Sequence, residues 1–244
     1  QGFHTGIATV LTAYSVMEGT TVFDENGRIL DSRFKQEIAD MFSGADWGSM
    51  DITEPHAGSD MAAIRTRATE QADGSWVVSG EKIFITSGHG KYHLVVARTE
   101  DATGDDPMAG LGGLSLFLVR AFEDNPDGTR TRNAVIERLE EKIGQHAMPT
   151  CHMRYDNSPA ELIGKRGEGF RLMLLLMNGA RLAVAFEGLG IAESAYRHAL
   201  AYAKERTSMG KPIIEHGMVK EMLDTMATEI KAIRSLAINA AGHE

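Results

Sequence analysis

The 244-residue sequence predicts an α+β fold, with a central β-barrel or sandwich domain flanked by helical domains. Three observations predict it. Apolar residues recur near helical spacing up to about residue 45. Short β-branched and aromatic runs separated by Gly, Asp, Asn and Pro fill residues 46–164. Helical spacing then returns from residue 165. These changes of period divide the chain into 1–45, the remnant of an N-terminal helical domain; 46–164, a middle β-domain; and 165–244, the start of a C-terminal helical domain.

In order, Ile7, Val10, Leu11 and Tyr14 fall near helical spacing, and Asn26-Gly27 marks a turn. Phe34, Ile38, Met41 and Phe42 recur at three and four, which predicts a short amphipathic helix with Lys35, Glu37 and Asp40 on its wet side. Runs at 76–78, 82–86, 94–97, 114–119, 134–136 and 151–155 predict strands. Gly74-Ser75 and Ser79-Gly80 bracket Trp76-Val77-Val78, so 76–86 is expected to be a hairpin beside a loop at Thr53. The glycine-rich, acidic stretch 101–113 reads as a solvated loop. Past Gly167 an apolar stretch reaches Phe186, and Leu189, Ala192, Tyr196, Ala199 and Ala203 continue one helical face until Gly210 and Pro212 end it. Met218, Met222, Met226, Ile230, Ile233 and Ala237 then trace an apolar stripe opposite Lys220, Asp224, Glu229 and Lys231; the methionines read as core fillers and not as ligands.

A net charge of −9 and a pI near 5.5 argue against a nucleic-acid surface, although a local basic pocket for an anionic substrate stays open. The single cysteine, Cys151, excludes an intrachain disulfide and suits a reducing compartment, so a cytoplasmic location is expected. No signal-peptide pattern is visible, but the chain begins with Gln1 and a presequence stays open. The longest apolar-rich run, 172–180, broken by Asn178 and flanked by Arg171 and Arg181, is about half of the roughly 20 residues a membrane span needs, so no transmembrane helix is expected.

The chemistry concentrates at Met50-Asp51-Ile52-Thr53-Glu54-Pro55-His56-Ala57-Gly58-Ser59-Asp60, which reads as strand into tight loop. Pro55 bars regular helix, and Ala57-Gly58-Ser59 makes a small-residue corner. Gly58 permits close approach of backbone to a ligand, and Thr53 and Ser59 add hydroxyls; the same residues also build ordinary turns. Other patterns fail. Gly110-Leu111-Gly112-Gly113 runs into a strand and lacks the context of a dinucleotide fingerprint, and Gly167-Glu168-Gly169-Phe170 carries no lysine and serine of a phosphate loop. His89 and His93 fall at strand and loop, and His146, Cys151 and His152 lack a fourth ligand, so no metal site is assigned. Ser79 and Lys82 match a serine, two-residue gap, lysine pattern outside a helix start, which argues against acyl-enzyme chemistry.

Thr53-Glu54-Pro55 and Ala57-Gly58-Ser59-Asp60, followed by Gly80-Glu81-Lys82-Ile83-Phe84-Ile85-Thr86-Ser87-Gly88, resemble the paired signature of the acyl-CoA dehydrogenase family. A third match follows in order, Tyr202-Ala203-Lys204-Glu205-Arg206 and then Gly210-Lys211-Pro212-Ile213. The resemblance covers about Ser49 to the end. It implies an FAD-dependent oxidoreductase that removes hydrogen from the α and β carbons of an acyl-CoA thioester, as in fatty-acid β-oxidation. It implies, too, a homodimer or homotetramer, and electron-transfer flavoprotein or another acceptor as partner. Residue by residue, Ile52 and Thr53 would meet the pyrimidine side of the flavin, Phe84 and Ile85 would cover the ring, and Thr86 would hydrogen-bond near N5. Ser59 would contact FAD phosphate or the thioester arm of the substrate. Arg206 would point to the FAD of a neighbouring subunit; the alternative is a cation at a helix C-terminus. Arg181 would lie near CoA, with Asn178 where many members carry aspartate, a lost charge that puts this contact in doubt.

Proton abstraction beside a thioester needs a positioned carboxylate. Most members carry a glutamate beyond the region matching Glu244. A minority carry it on the helix just before the arginine matching Arg181, where this chain has Ala180, whose methyl accepts no proton. Glu187 matches no catalytic position. No catalytic residue is therefore assigned within the chain, and the base is expected past Glu244. Two other classes stay open: a flavoprotein of the same fold with other chemistry, such as an oxidase or a DNA-alkylation-response protein, and a catalytically silent binding module.

Overall fold

The computed structural model describes residues 2–101 and 109–243. The chain forms two compact units, Gln1–Leu176 and Met177–Glu244. The first begins with α1 (Gly2–Met17), a short antiparallel pair β1 (Val22–Phe23) and β2 (Ile29–Asp31), and α2 (Lys35–Ser43). Asp24 closes the turn of this pair by accepting from the amides of Asn26 and Arg28, both at 2.8 Å. On α2 the apolar spacing places Phe34, Ile38 and Met41 in the core as expected. Phe42, expected there too, is exposed, and Glu37 departs from the expected wet side: it is buried and takes an ion pair from Arg120. Sequence spacing counts Glu37 as polar surface because its partner lies far along the chain.

The central sheet holds β3 (Gly48–Asp51), β4 (Arg67–Glu70), β5 (Trp76–Thr86), β6 (Tyr92–Arg98), β7 (Leu114–Arg120), β10 (Ala134–Leu139) and β11 (Thr150–Ile163); β8 (Phe122–Asp124) and β9 (Arg130–Arg132) make a separate hairpin. The order is β10-β11-β5-β4-β6-β3, and β7 pairs with both β11 and β6. The sheet is mixed, since β3 runs parallel to β6 and the other long ladders are antiparallel. It is a rolled sheet and not a closed barrel, because the link between β4 and β6 is the single pair Arg67 opposite Arg98. Its core gathers Val78, Ile85, Val95, Ala97, Phe117, Val119, Cys151 and Met153. Every residue of β6 is buried, as a strand covered on both faces requires.

Residues 76–86, expected to be a hairpin, form one strand of 11 residues. The turn lies earlier, at 71–75, where the Gln71 amide donates to the Ser75 carbonyl at 2.8 Å. Gly80 is glycine for another reason: its φ is +150°, and a Cβ there would stand 2.4 Å from Thr66 Oγ1 and 2.8 Å from Thr66 Cα. Close approach and not a turn selects it. Of the stretch read as a solvated loop, residues 102–108 lie outside the described residues; Ala109–Gly113 is a 3-10 turn with Gly110 and Gly113 buried. The guanidinium of Arg98 draws this turn in, donating to the carbonyls of Ala62 (2.7 Å), Ile64 (2.9 Å) and Gly110 (3.0 Å).

From Gly169 the chain is helical: α3 (Gly169–Glu205), the short pair β12 (Thr207–Ser208) and β13 (Lys211–Pro212), then α4 (Gly217–Ala241). By length and composition alone α3 suffices to cross a membrane, unlike the shorter run read from sequence, and 22% of its apolar window is buried. The expected α3 face holds, with Leu189 and Ala203 buried and Ala192, Tyr196 and Ala199 half-buried. The α4 stripe is displaced. Leu223, Ile230 and Ala237 are buried, whereas Met218 (81% exposed), Met222 (65%) and Ile233 (45%) face outward and are not core fillers in this chain. A heptad row selects residues 223, 230 and 237, and the methionines lie beside it on a face that this unit leaves uncovered.

Replacing Gly80 by alanine is expected to cost about 2 kcal/mol or more, because the added methyl meets backbone and its φ is strained. Urea denaturation measures it; a loss under about 0.5 kcal/mol would contradict the close approach of Thr66.

Candidate functional site

The two motifs of the β-domain are joined by a buried ion pair that the sequence reading did not find. Lys82 Nζ lies 2.8 Å from Glu54 Oε1, with 0% and 2% of the two side chains exposed. The same ammonium donates to the Ile52 carbonyl at 2.9 Å, and the Ile83 amide donates to the Thr53 carbonyl at 2.8 Å. Glu54 also accepts from the amides of Arg65 (2.8 Å) and Thr66 (2.9 Å), and His56 Nε2 stands 3.3 Å from its other oxygen. Alternation in β5 buries Lys82 and leaves Ser79 nearer the surface, where Ser79 Oγ accepts from the Asn157 amide at 2.9 Å; the two are not a catalytic pair. The available signal was a lysine inside the strand run of the second motif and a glutamate inside the first.

Burial opposes charge at both partners. At Glu54 it is outweighed by the Lys82 charge, its hydrogen bond and the two amides, which together hold the carboxyl below its ordinary value. At Lys82 burial is the largest influence and pulls the ammonium below its ordinary value, against Glu54 and Asp51. The three donors on Glu54, the Lys82 ammonium and the amides of Arg65 and Thr66, fix it as the carboxylate, so Lys82 faces a full negative charge.

The second motif is shaped by a β-bulge. Cys151 stands opposite Ile85 and Met153 opposite Lys82, so Ile83 and Phe84 together face the single residue His152. Phe84 takes a φ of 59°, rare for a bulky residue, and its ring is turned outward, 60% exposed. Ile85 returns to the core at 2% exposure and so offers a ligand only its backbone, and Ile52 is likewise buried at 8%. Thr53 and Thr86 are half-buried and Ser59 is exposed; none of the three hydroxyls has a hydrogen-bond partner among the described residues. Thr86 lies three residues past Ile83, on the strand that Thr53 touches. An outward aromatic ring and unpartnered hydroxyls along two fixed backbone segments fit a planar, hydrogen-bonding ring system such as a flavin.

The second unit carries Asn178, Arg181 and Arg206. Arg181 Nη1 donates to Asn178 Oδ1 at 3.1 Å, and both residues are exposed on α3. Arg206 is exposed just past α3, its backbone tied to Tyr202 and Ile213. Ala180 is half-buried and Glu187 exposed on the same helix. Among the described residues no three His, Cys, Asp or Glu side chains converge as a metal site. His89 packs edge-on to Trp47 at 4.9 Å between centroids, and burial lowers its pKa.

Glu54 is expected to make stability depend on pH in the acid range. Its folded carboxyl titrates below the unfolded one, so the stabilisation is complete above about pH 4.5 and is lost as pH falls through the lowered folded value. Glu54→Gln should abolish this slope and cost about 3–5 kcal/mol at neutral pH, since it leaves Lys82 buried beside a neutral amide. Thermal unfolding of both proteins from about pH 3 to pH 7 checks this; parallel curves would refute it.

Comparison with known proteins bears on this geometry. Residues 49–158 match the acyl-CoA dehydrogenase middle domain and residues 167–244 the acyl-CoA dehydrogenase C-terminal domain. The 3-methylmercaptopropionyl-CoA dehydrogenase of Ruegeria pomeroyi is 41% identical over 211 residues, which are 80% of this chain and 35% of that protein. The solved butyryl-CoA dehydrogenase of Megasphaera elsdenii superposes with a TM-score of 0.74 at 27% identity, covering 96% of this chain and 58% of its own. A chain from the structure described as the electron transferring flavoprotein of Acidaminococcus fermentans superposes with a TM-score of 0.70 at 32% identity, covering 85% and 52%. The chain thus spans between about a third and somewhat over half of the length of these relatives. Two consecutive domain matches laid over the paired motifs carry one conclusion: the chain belongs to the acyl-CoA dehydrogenase family.

Proposed function

We propose that the protein containing this chain is an FAD-dependent acyl-CoA dehydrogenase, with domains divided at 45/46 and 164/165. The observation that carries the reading is the set of hydroxyls without protein partners, Thr53 and Thr86, on segments locked together beside the outward ring of Phe84. FAD, when bound, supplies a hydride acceptor at flavin N5. The chain's own residues bind and orient. Thr53 and the backbone after Ile52 hydrogen-bond the pyrimidine edge, Thr86 the region of N5, and Phe84 with the Ile85 backbone excludes water from one face. Ser59, at an exposed corner, takes a phosphate or the thioester arm. Arg206 reaches the FAD of a neighbouring subunit in a homodimer or homotetramer, and Asn178 with Arg181 lies along CoA. An electron-transfer flavoprotein or another electron acceptor would take the electrons. The butyryl- and methylmercaptopropionyl-CoA dehydrogenases among the relatives support an acyl-CoA substrate. Apolar α3 is read as a core helix of the C-terminal domain and not as a membrane span.

The base lies outside these residues, in a glutamate past Glu244, because Ala180 cannot take a proton. The full-length protein is expected to be yellow and to lose its flavin absorbance anaerobically on adding acyl-CoA. Glu187→Gln should leave the rate within about tenfold, roughly 1.4 kcal/mol of barrier, while changing the downstream glutamate abolishes reduction. A colourless protein that FAD cannot reconstitute sinks the proposal. Rapid reoxidation by oxygen would make the protein an oxidase, and collapse of reduction in a folded, FAD-loaded Glu187→Gln protein would move the base onto α3.

A further inference from the structure

Beneath the first motif lies a second buried polar cluster that no role above uses. Ser49 and Asp51 on β3, His93 on β6 and Tyr155 on β11 are each exposed by 2% or less. Ser49 Oγ donates to Asp51 Oδ1 and the Tyr155 hydroxyl to Asp51 Oδ2, both at 2.5 Å. His93 Nε2 stands 3.1 Å from the Gly90 carbonyl, which only accepts, so Nε2 carries a proton. Nδ1 stands 3.1 Å from Asp51 Oδ2, 2.8 Å from Ser49 Oγ and 2.9 Å from the Tyr155 oxygen, so all four side chains share one hydrogen-bonded knot. Every polar atom named has a hydrogen-bond partner. The composition is that of a hydrolytic triad, but the serine proton points at the carboxylate and none of the groups reaches the surface, so no substrate meets them. Burial, the Asp51 charge and its hydrogen bond hold the Tyr155 phenol well above its ordinary pKa, so it remains a donor.

The cluster joins β11 to β3 and β6, neither of which it pairs with. Among the described residues β3 pairs only with β6, and its ladder ends at Asp51 opposite Val95, so Ile52 and Thr53 leave the sheet immediately afterwards. At this point of departure the side chain of Asp51, the last paired residue, is held by Ser49 and Tyr155, in addition to the Lys82 and Ile83 bonds to the carbonyls of Ile52 and Thr53. Through Tyr155 that side chain grips β11, and β11 carries the second motif by pairing Cys151 with Ile85 and Thr150 with Thr86. We propose that Asp51 and His93 are positioning residues that, acting through Tyr155, fix the spacing between the Ile52–Thr53 segment and the Phe84–Thr86 segment at the width the cofactor needs. The proposal rests on the flavin reading for its purpose, not for its geometry. A fully satisfied buried network suits this task because it has one arrangement, where apolar packing would tolerate several.

The test uses the full-length protein and two variants, Tyr155→Phe, which removes one oxygen, and His93→Gln. Hydrogen exchange by mass spectrometry is followed in the apoprotein, and FAD affinity by titration. In Tyr155→Phe, exchange over residues 51–57 and 82–88 is expected to accelerate about tenfold, with α4 unchanged, and the FAD dissociation constant to rise about tenfold. His93→Gln should do at least as much; if it fails to fold, Tyr155→Phe decides. Exchange within about twofold of wild type over both segments, or acceleration equal throughout the chain, overturns the proposal. Failure of the wild-type protein to bind FAD would defeat the proposed function instead, and the exchange measurement would still decide this one.

Discussion

The ion pair between Lys82 and Glu54 is the constraint on which the site depends. Each partner is desolvated, so each is tolerable only because the other is present and further groups saturate it. The Lys82 ammonium holds the Ile52 carbonyl, and the Glu54 carboxylate holds the amides of Arg65 and Thr66. One pair thus fixes the end of β3, the corner that follows it and the middle of β5. Apolar packing would bury the same area without specifying these backbone positions.

The same lock explains how β5 sustains an unfavourable residue. Phe84 in the left-handed region costs of order 1–3 kcal/mol and persists only where its surroundings over-determine it. Here the β11 ladder resumes on both sides of the bulge, at Cys151 with Ile85 and Met153 with Lys82, while Lys82 itself is anchored. The result is a ring aimed outward from a strand whose neighbours, Ile83 and Ile85, are buried. Strain, exposure and unpartnered hydroxyls coincide where a ligand would repay them.

The second unit presents the opposite condition. Its helices bury a heptad row on α4, yet Met218, Met222, Ile233 and Leu236 stay exposed, and so does most of the apolar window of α3. Apolar area of this extent stays in water only at a cost. It accords with a chain that spans about half of its solved relatives, and with the proposal that further helices and a second subunit complete the domain.

By itself the sequence determined the family and the succession of helical, strand-rich and helical segments. Period changes mark the strands and helices, and Thr53 to Asp60 with Lys82 to Gly88 name the family, because these signals are local and survive without coordinates. It did not determine what depends on partners far along the chain. The Lys82–Glu54 pair, the burial of Glu37 against Arg120 and the Ser49, Asp51, His93 and Tyr155 cluster each join residues from separate elements. Nor did it show that Gly80 is set by Thr66 rather than by a turn, or that a bulge sends Phe84 out and Ile85 in. Alternation predicts faces only for regular strands, and one extra residue in a ladder reverses it. Side-chain type and local period are written in the chain; which buried charge finds which partner is decided when the sheet rolls up.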